Sequence, residues 1–409
     1  MLAKLFSYKT PQNLLVLMNA MALFLIYFYR EDMDRTFIIA GISLIALIYL
    51  SNFLLQKISY GDHYLFLIMG MLVSIGVIMI YRIHPEYGLK QILWLGFGIL
   101  SFFLAYLITK KMKGWERFTN IYVLLSMILF IATLLFGVKV KGATNWIRIA
   151  GFNFQPSEII KILFVFFLAS YYVKQNVFKN PYTFWVIVYS YIGFLFIQRD
   201  LGGALLFFLV FITIAYIYDK NRKWILYNLA FASLIALFSY FFINHVQVRV
   251  ITWLDPWQHI DSKGYQITQS LFAIASGGFF GTGVGLGHPE FIPEVHTDFI
   301  FSAICEEMGI FGGIAVIMLF MILVYRGFKI ALYQQHRFFR IVALGITMMF
   351  GFQAFIILGG VMKMIPLTGV TLPFVSYGGS SLISSFVSLG ILQVASEELD
   401  GEQEEEHGY

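Results

Sequence analysis

The sequence predicts an all-α polytopic membrane protein, and three observations support this prediction. Of the 409 residues, 59% are hydrophobic and only 12% are charged, and the mean hydropathy is +0.78. Soluble domains are about half apolar and about a quarter charged, so both departures favour lipid as the main solvent. The apolar residues also form runs of about 20 residues, the length at which a helix crosses a bilayer.

Apolar runs bounded by charged residues, glycine or proline predict about 12 transmembrane helices. The seventh and eighth runs are separated by little more than Arg199 and Asp200, which predicts a tight helical hairpin. The runs lie near residues 12–29, 36–55, 64–81, 91–109, 120–137, 157–173, 181–198, 201–218, 224–243, 299–325, 340–362 and 374–395.

The distribution of lysine and arginine between the loops predicts that both termini are cytoplasmic. With this orientation the cytoplasmic segments hold more of the 28 basic residues than the outer segments do, as the positive-inside rule requires. The acidic stretch 397–406 does not oppose the assignment, since acidic residues contribute little to the rule, and we expect it to be a solvated tail.

Charge and cysteine content exclude several classes of protein. The net charge is only +5 and the basic residues are scattered, so nucleic-acid binding is not expected. Cys305 is the only cysteine, which excludes an intramolecular disulfide and zinc sites built on cysteine pairs. No cleaved signal is expected either, because the run that begins near Leu14 has no small-residue cleavage site after it.

Two long connections, at about 138–156 and 244–298, fall on the predicted outer face. Long loops in a compact protein are usually functional or disordered. The longer one carries aromatic residues such as Trp253 and Trp257, which favours amphipathic or re-entrant pieces over disorder. We therefore expect the chemistry on this face.

Glu158 and Lys161 open one of the apolar runs, after the basic residues Lys139, Lys141 and Arg148. An ordinary helix start explains the pair, because Glu158 complements the positive helix end and lies i,i+3 from Lys161. However, ionisable residues within an apolar span are costly unless they face a polar cavity. Glu158 and Lys161 are therefore candidates for the lining of a wet central site.

Two glycine-containing segments have both structural and functional interpretations. Arg199 and Asp200 form a charged turn, and the following glycines would let another backbone pack closely. The segment 277–287 contains six glycines, but their spacing is not the dinucleotide fingerprint. It is either a flexible linker or a segment that presents backbone amides to a phosphate.

Asp298 lies at the end of the long loop, directly before a helix that carries Glu306 and Glu307. One interpretation of Asp298 is a simple helix cap, which is the common fate of aspartate at such a boundary. The same position can also provide a general base, because the helix dipole favours the anion whereas apolar neighbours favour the neutral acid.

The segment from Lys363 to Ser381 is predicted to be broken. Pro366, Pro373 and a Gly-Gly step exclude a regular helix there. At membrane depth, irregular backbone is tolerated only where it lines a cavity or is buried in protein.

Together these residues resemble the SEDS family of membrane glycosyltransferases, whose members include RodA, FtsW and SpoVE. One matching segment would be weak support, but seven in the family's order are strong, and they extend from the third span to the last. They are 141–143 with Trp146, 154–158, 200–202, 264–266 with 269–270, 293–294 with 296–301, 306–307, and 372–373 with 376–380.

The resemblance implies polymerisation of lipid II into peptidoglycan strands at the outer face of the bacterial cytoplasmic membrane. It makes Asp298 the essential aspartate and probable base, with Glu158 and Lys161 as a buried ion pair near it. The partner it implies is a class B penicillin-binding protein, a transpeptidase. No cofactor is implied with certainty, and a divalent cation is left open. The candidate substrate-binding residues are Lys139, Lys141, Arg148, Asp200, Arg249, Gln269, His296, Lys363, Ser376 and Ser380.

The resemblance also divides the chain. Residues 1–60 form two accessory helices, 61–396 a ten-helix catalytic membrane domain, and 397–409 the acidic cytoplasmic tail. The extra helices and the pattern at 281–287 are most like RodA proteins of Gram-positive bacteria, although a division-type FtsW role stays open. Arg199 stands where the family usually has proline, which puts in doubt the geometry inferred for that turn.

The alternative function is a flippase or transporter of lipid-linked cell-wall precursors, a class that also uses broken helices and intramembrane charges. A transporter would distribute its coupling residues between two halves of the chain, whereas the candidates here lie toward one face. A third interpretation, a scaffold, leaves Glu158, Lys161 and Asp298 without a role.

Overall fold

The computed structural model describes residues 2–29, 35–140, 143–149, 151–174, 178, 180, 182–219 and 221–397. Within them the chain forms fourteen α-helices and one small sheet. The helices are α1 (Leu2–Tyr29), α2 (Arg35–Ile58), α3 (His63–Ile83), α4 (Pro85–Lys111), α5 (Thr119–Phe136), α6 (Pro156–Val173), α7 (Tyr182–Ile197), α8 (Leu201–Tyr218), α9 (Lys223–Phe242), α10 (Asn244–Leu254), α11 (Tyr265–Gly277), α12 (Ile300–Tyr333), α13 (Arg337–Val361) and α14 (Gly379–Ala395).

The helices confirm the all-α polytopic class. A helix lies at each of the twelve predicted runs, and nine of the described helices are long and apolar enough to cross a membrane. The other three apolar segments, in α1, α7 and α14, are shorter. The count of twelve crossings therefore stays a prediction.

The two long connections contain regular structure. Residues 244–298 form α10, α11 and two short 3-10 turns. Residues 138–154 contain an antiparallel sheet of β1 (Val138–Val140), β2 (Ala143–Ile149) and β3 (Phe152–Phe154) in the order β1-β2-β3. In its second pairing, Ile147 lies opposite Phe154. Sequence analysis did not predict this sheet, because β1 and β3 have only three residues each and the seven residues of β2 do not alternate strictly between apolar and polar.

The bundle has two ends, which are defined by contacts between distant segments. At the first, residues 84–87, 290–298 and 363–377 meet, and we call it the Asp298 end. At the second, the α2–α3 turn meets the end of α14, and we call it the Glu397 end. Helices α3, α6 and α13 are mostly buried between the two ends, as expected for helices that are apolar on every face.

Helix α12 is broken at Gly309, and this corrects the single span predicted at 299–325. Gly309 has φ 68° and ψ −171°, and the helix then continues to Tyr333. A positive φ is accessible to glycine at little cost. A Cβ atom at Gly309 would also lie 2.6 Å from the carbonyl carbon of Phe279, so the break lets α12 pack against the segment after α11.

Glu397 differs from the solvated tail residue that the sequence predicts. Its side chain is 6% exposed, and its carboxylate accepts hydrogen bonds from Ser59 Oγ (2.6 Å), Tyr106 OH (2.6 Å) and Lys110 Nζ (2.8 Å). Glu397 therefore belongs to the packed bundle. Residues 398–409 lie outside the described part of the chain.

Replacing Glu397 with glutamine is expected to lower the free energy of unfolding by about 1–3 kcal/mol at neutral pH. Burial raises the pKa of Glu397, but the hydrogen bonds from Lys110, Ser59 and Tyr106 outweigh burial, and the net pKa is lowered. The stabilisation is therefore present above the unfolded pKa of about 4.3 and is lost as the pH falls through the lower folded value.

Thermal unfolding in detergent between neutral and acidic pH measures this effect. Below the folded pKa, the difference in Tm between Glu397→Gln and the wild type should shrink. Glu116→Gln is the control, since Glu116 lies at the same end and its ion pair with Arg117 is long, at 3.9 Å. Equal Tm values for wild type and Glu397→Gln at neutral pH would contradict the contribution assigned to Glu397.

Candidate active site

Asp298 is half-buried in the turn that precedes α12. The residue at the N-cap position of α12 is Phe299, so Asp298 is not the simple cap that the sequence also allowed. A Cβ atom at Gly369 would lie 3.7 Å from Asp298 Oδ2 and 3.9 Å from Arg249 Nη2. The carboxylate of Asp298 and the guanidinium of Arg249 therefore both lie next to Gly369.

Arg249 is held in place by the broken segment. Its Nη1 donates a hydrogen bond to the carbonyl oxygen of Thr368 at 3.0 Å, and Trp253, one turn later on α10, donates to the carbonyl oxygen of Lys363 at 3.1 Å. Burial lowers the pKa of Arg249, and the charges of Asp200 and Asp298 oppose the shift. Because a guanidinium gives up its proton only at strongly alkaline pH, Arg249 stays a cation at neutral pH.

Asp200 is the N-cap of α8 and accepts a hydrogen bond from the amide of Gly203 at 2.8 Å. Desolvation raises the pKa of Asp200, and the nearby charge of Glu158 acts in the same direction. A Cβ atom at Gly202 would lie 3.2 Å from the carbonyl oxygen of Thr368. The close backbone packing predicted at this glycine is therefore present.

A buried polar network includes Glu158 and Lys161. Lys161 Nζ lies 2.7 Å from Glu158 Oε2 and donates to Gln353 Oε1 at 3.3 Å. Ser384 donates a short hydrogen bond to Glu158. Gln353 Nε2 in turn donates to the carbonyl oxygen of Thr371 at 2.9 Å. The network connects α6, α13 and α14 to the broken segment.

The broken segment between α13 and α14 is bonded directly to the chain around Asp298. Ser376 Oγ donates to the carbonyl oxygen of Thr297 at 2.6 Å, and the amide of Tyr377 donates to the carbonyl oxygen of His296 at 2.9 Å. The backbone that leads to Asp298 is therefore fixed by the segment that the buried network supports.

A cavity of about 510 Å³ opens beside this backbone and is lined by residues 84–87, Glu290 and residues 292–296. Tyr87 stacks on His296 with their ring centroids 4.7 Å apart, and Tyr377 lies 4.9 Å from Tyr87. A volume of this size is typical of small-molecule sites. His296, which lies two residues before Asp298, lines this cavity, so the cavity adjoins the segment that carries Asp298.

The glycine-rich segment is not the flexible linker that the sequence allowed. The amide of Gly285 donates to Glu307 Oε2 at 3.0 Å, and the amide of His288 donates to Glu306 Oε1 at 2.8 Å. These two amides are already hydrogen-bonded to carboxylates of the protein, so neither is available to bind a phosphate.

The structure brings together only part of the predicted site. Arg249 interacts with both Asp298 and Asp200, and Asp200 also interacts with Glu158 and Lys161. Ser376 donates to the carbonyl oxygen of Thr297, next to Asp298, and His296 lies two residues before Asp298. Ser380 is buried at the start of α14. Among the described lysines and arginines predicted to bind the substrate, only Arg249 is shown beside Asp298.

The other predicted residues lie in different surroundings. Lys139 and Arg148 are exposed on the sheet, where Arg148 Nε donates to Asn153 at 3.3 Å. Gln269 is half-buried on α11, and Lys363 is half-buried with its carbonyl oxygen bonded to Trp253. Lys141 falls outside the described residues.

Sequence reasoning missed Gln353, Ser384 and Tyr87. An amide inside an apolar span is a weak signal for an intramembrane polar contact, and it could have drawn attention to Gln353. Tyr87 gives no such signal, because aromatic residues are common at helix ends near a membrane. Within the part of the chain that is described, no group of three or more His, Cys, Asp or Glu side chains could hold a metal ion.

Known proteins resemble this chain over most of its length. The family model for the cell cycle proteins FtsW, RodA and SpoVE matches residues 62–400. The peptidoglycan glycosyltransferase RodA of Mycobacterium bovis is 34% identical over 366 residues, which cover 81% of this chain and 77% of that protein. The probable peptidoglycan glycosyltransferase FtsW of Geobacter metallireducens is 34% identical and covers 85% of this chain and 97% of its own length.

Solved structures share the fold. One, from work on the structural coordination of polymerization and crosslinking by a peptidoglycan synthase complex, has a TM-score of 0.71 and 26% identity, covering 82% of this chain and 97% of that chain. The rod shape determining protein RodA of Thermus thermophilus has a TM-score of 0.62 at 24% identity and covers 84% of this chain and all of its own.

Proposed function

This chain belongs to the FtsW/RodA/SpoVE family, and we propose that it polymerises lipid II into glycan strands with Asp298 as the general base. It is a peptidoglycan glycosyltransferase of cell-wall synthesis. The observation that carries the assignment of the base is the placement of Asp298 and Arg249 at Gly369. The segment that leads to Asp298 also lines a cavity large enough for a substrate, through residues 292–296.

The reaction joins one sugar to another and releases a lipid diphosphate. The hydroxyl oxygen of the acceptor sugar attacks the anomeric carbon of the donor. As that bond forms, the bond from the anomeric carbon to the diphosphate oxygen breaks, and the diphosphate leaves with the electron pair. Asp298 accepts the hydroxyl proton, a contribution of about 10²–10⁴-fold for a well-placed base.

Arg249 is the residue we assign to the charge of the departing diphosphate. A fixed cation in a site that excludes bulk water stabilises charge that develops in the transition state. Its hydrogen bond to Thr368 and the bond from Trp253 to Lys363 hold α10 against the broken segment. The cation is therefore positioned before the substrate binds.

Glu158 and Lys161 stabilise the site indirectly, through hydrogen bonds to the broken segment. Their hydrogen-bond network reaches the broken segment through Gln353 and Thr371. In that segment, Ser376 and Tyr377 donate hydrogen bonds to the carbonyl oxygens of Thr297 and His296. We therefore assign the pair a positioning role for Asp298. This role differs from direct contact with the substrate.

We further place the chain in the bacterial cytoplasmic membrane with both termini inside and the Asp298 end outside. The excess of basic residues in the predicted cytoplasmic loops supports this orientation. A class B penicillin-binding protein is the proposed partner in cell elongation or division. The similarity to a chain from a peptidoglycan synthase complex that coordinates polymerization and crosslinking supports this choice.

The competing function is transport of lipid-linked precursors across the membrane. Reconstituted protein, alone or with its transpeptidase, is expected to lengthen glycan from lipid II in a gel assay. Labelled lipid II should not cross protein-containing liposomes faster than empty ones. Accelerated crossing without polymer would replace the enzyme with the transporter.

A further inference from the structure

Arg82 connects three groups at the Asp298 end. Its Nε lies 2.6 Å from Glu307 Oε1, and the Glu307 side chain is fully buried whereas that of Arg82 is 13% exposed. Its Nη2 donates to the carbonyl oxygen of Gly287 at 2.6 Å, and its Nη1 lies 3.7 Å from Glu290 Oε2. The planar guanidinium suits such a junction, since its donors point in fixed directions.

Glu307 joins Arg82 to the glycine-rich segment. One carboxylate oxygen faces Arg82 and the other accepts the amide of Gly285. The backbone carbonyl of Glu307 also accepts the amide of Gly283 at 3.1 Å. At Gly281 a Cβ atom would lie 2.5 Å from the carbonyl carbon of Glu307. The glycines are therefore required for the loop to lie directly against α12.

Arg82 connects the two chain segments that line the cavity. Arg82 is the penultimate residue of α3, and the chain continues directly into the wall at residues 84–87. Arg82 also contacts Gly287 and Glu290. These residues are followed in the chain by the second lining segment, 292–296, and then by Asp298. A single side chain thus ties the segment that carries Asp298 to α3.

We propose that Arg82 and Glu307 are positioning residues that form a clamp, the Arg82–Glu307 clamp, and that this clamp sets the position of the segment that carries Asp298. A base acts only within hydrogen-bond reach of the proton it removes. A displacement of about 1 Å can lower a rate by about 10²-fold. Only the expected effect of the clamp on the reaction rate rests on the proposed function, because hydrogen–deuterium exchange measures the stability of the loop without substrate.

Hydrogen–deuterium exchange of the full-length protein in detergent tests the clamp without any substrate. In Arg82→Gln and Glu307→Gln, peptides covering residues 282–298 are expected to exchange about tenfold faster, because local opening becomes easier. Peptides from α6 and α13 should be unchanged. Arg326→Gln is the control, since Arg326 forms a comparably short, partly buried ion pair with Asp62, at 2.8 Å, but at the Glu397 end.

Lipid II polymerisation tests the consequence. Arg82→Gln is expected to lower kcat by about tenfold or more with KM changed by less than about twofold, because the substrate still binds but the base is misplaced. Arg82→Lys, which keeps the charge, should recover part of kcat. Arg326→Gln should retain wild-type kcat even if its Tm falls.

Three outcomes would overturn the clamp. They are unchanged exchange at 282–298 in both clamp variants, faster exchange spread over the whole chain, or a loss of kcat that Arg326→Gln reproduces. If Arg82→Gln does not fold, Arg82→Lys carries the same comparison, with a smaller increase in exchange confined to 282–298. Faster exchange at 282–298 in the clamp variants, together with a wild-type protein that makes no polymer, would retain the clamp and reject the proposed function.

Discussion

Replacing Asp298 with asparagine is expected to abolish glycan polymerisation while leaving the amount of folded protein unchanged. Asparagine keeps the size of the side chain but accepts no proton, so the acceptor hydroxyl loses its base. We expect a loss of about 10²–10⁴-fold in kcat, the range measured for general bases. Purified protein with radiolabelled or fluorescent lipid II provides the measurement.

Asp261→Asn is the matched control for this experiment. Asp261 is an exposed residue of the same connection between α9 and α12, and its replacement should leave polymerisation at the wild-type rate. Full activity in Asp298→Asn would remove Asp298 from the mechanism. Loss of both activity and folded protein would instead make Asp298 a structural residue.

Single replacements of Glu158 or Lys161 are expected to be severe, and the double replacement is expected to be less severe than their sum. The side chains are 9% and 7% exposed and their charged atoms are 2.7 Å apart. Removing one partner leaves the other as a buried, uncompensated charge, at a cost of about 3–5 kcal/mol. Removing both leaves no such charge.

A double-mutant cycle with Glu158→Gln, Lys161→Met and the combined variant measures the coupling. Unfolding free energy and polymerisation rate should both show an interaction energy of about 1–3 kcal/mol. Ser384→Ala should add a smaller loss, because Glu158 would lose one hydrogen-bond donor but keep Lys161. Additive losses for Glu158→Gln and Lys161→Met would show that the two charges act independently.

Local sequence signals predicted the helices well. Each apolar run became a helix because a backbone in lipid must satisfy its own hydrogen bonds, whatever its neighbours are. The break at Gly309 and the extension of α12 to Tyr333 were not predicted, since the apolar run continues through the glycine. The sheet at 138–154 was missed because two of its strands have only three residues and the third, β2, lacks a strict apolar–polar alternation.

Composition was a poorer guide to the candidate site. Five lysines and arginines were equal candidates for substrate binding, and among the four that the structure describes only Arg249 is shown at Asp298. Lys139 and Arg148 are exposed on the sheet. A basic residue is recognised from the sequence, but its distance from a carboxylate on another helix depends on packing. Glu397 shows the same effect, since an acidic run predicts solvation whereas Lys110 and Tyr106 bury its first residue.

The sequence by itself determined that this chain is a helical membrane protein and that Asp298, Glu158 and Lys161 are unusual charges within it. These conclusions follow from hydropathy and from the cost of charge in lipid, which act on each segment separately. Only the tertiary structure decided that Arg249 accompanies Asp298, that Gln353 links the ion pair to the broken segment, and that Arg82 fixes the loop. Those contacts join residues far apart in the chain, so they depend on how the helices pack against one another.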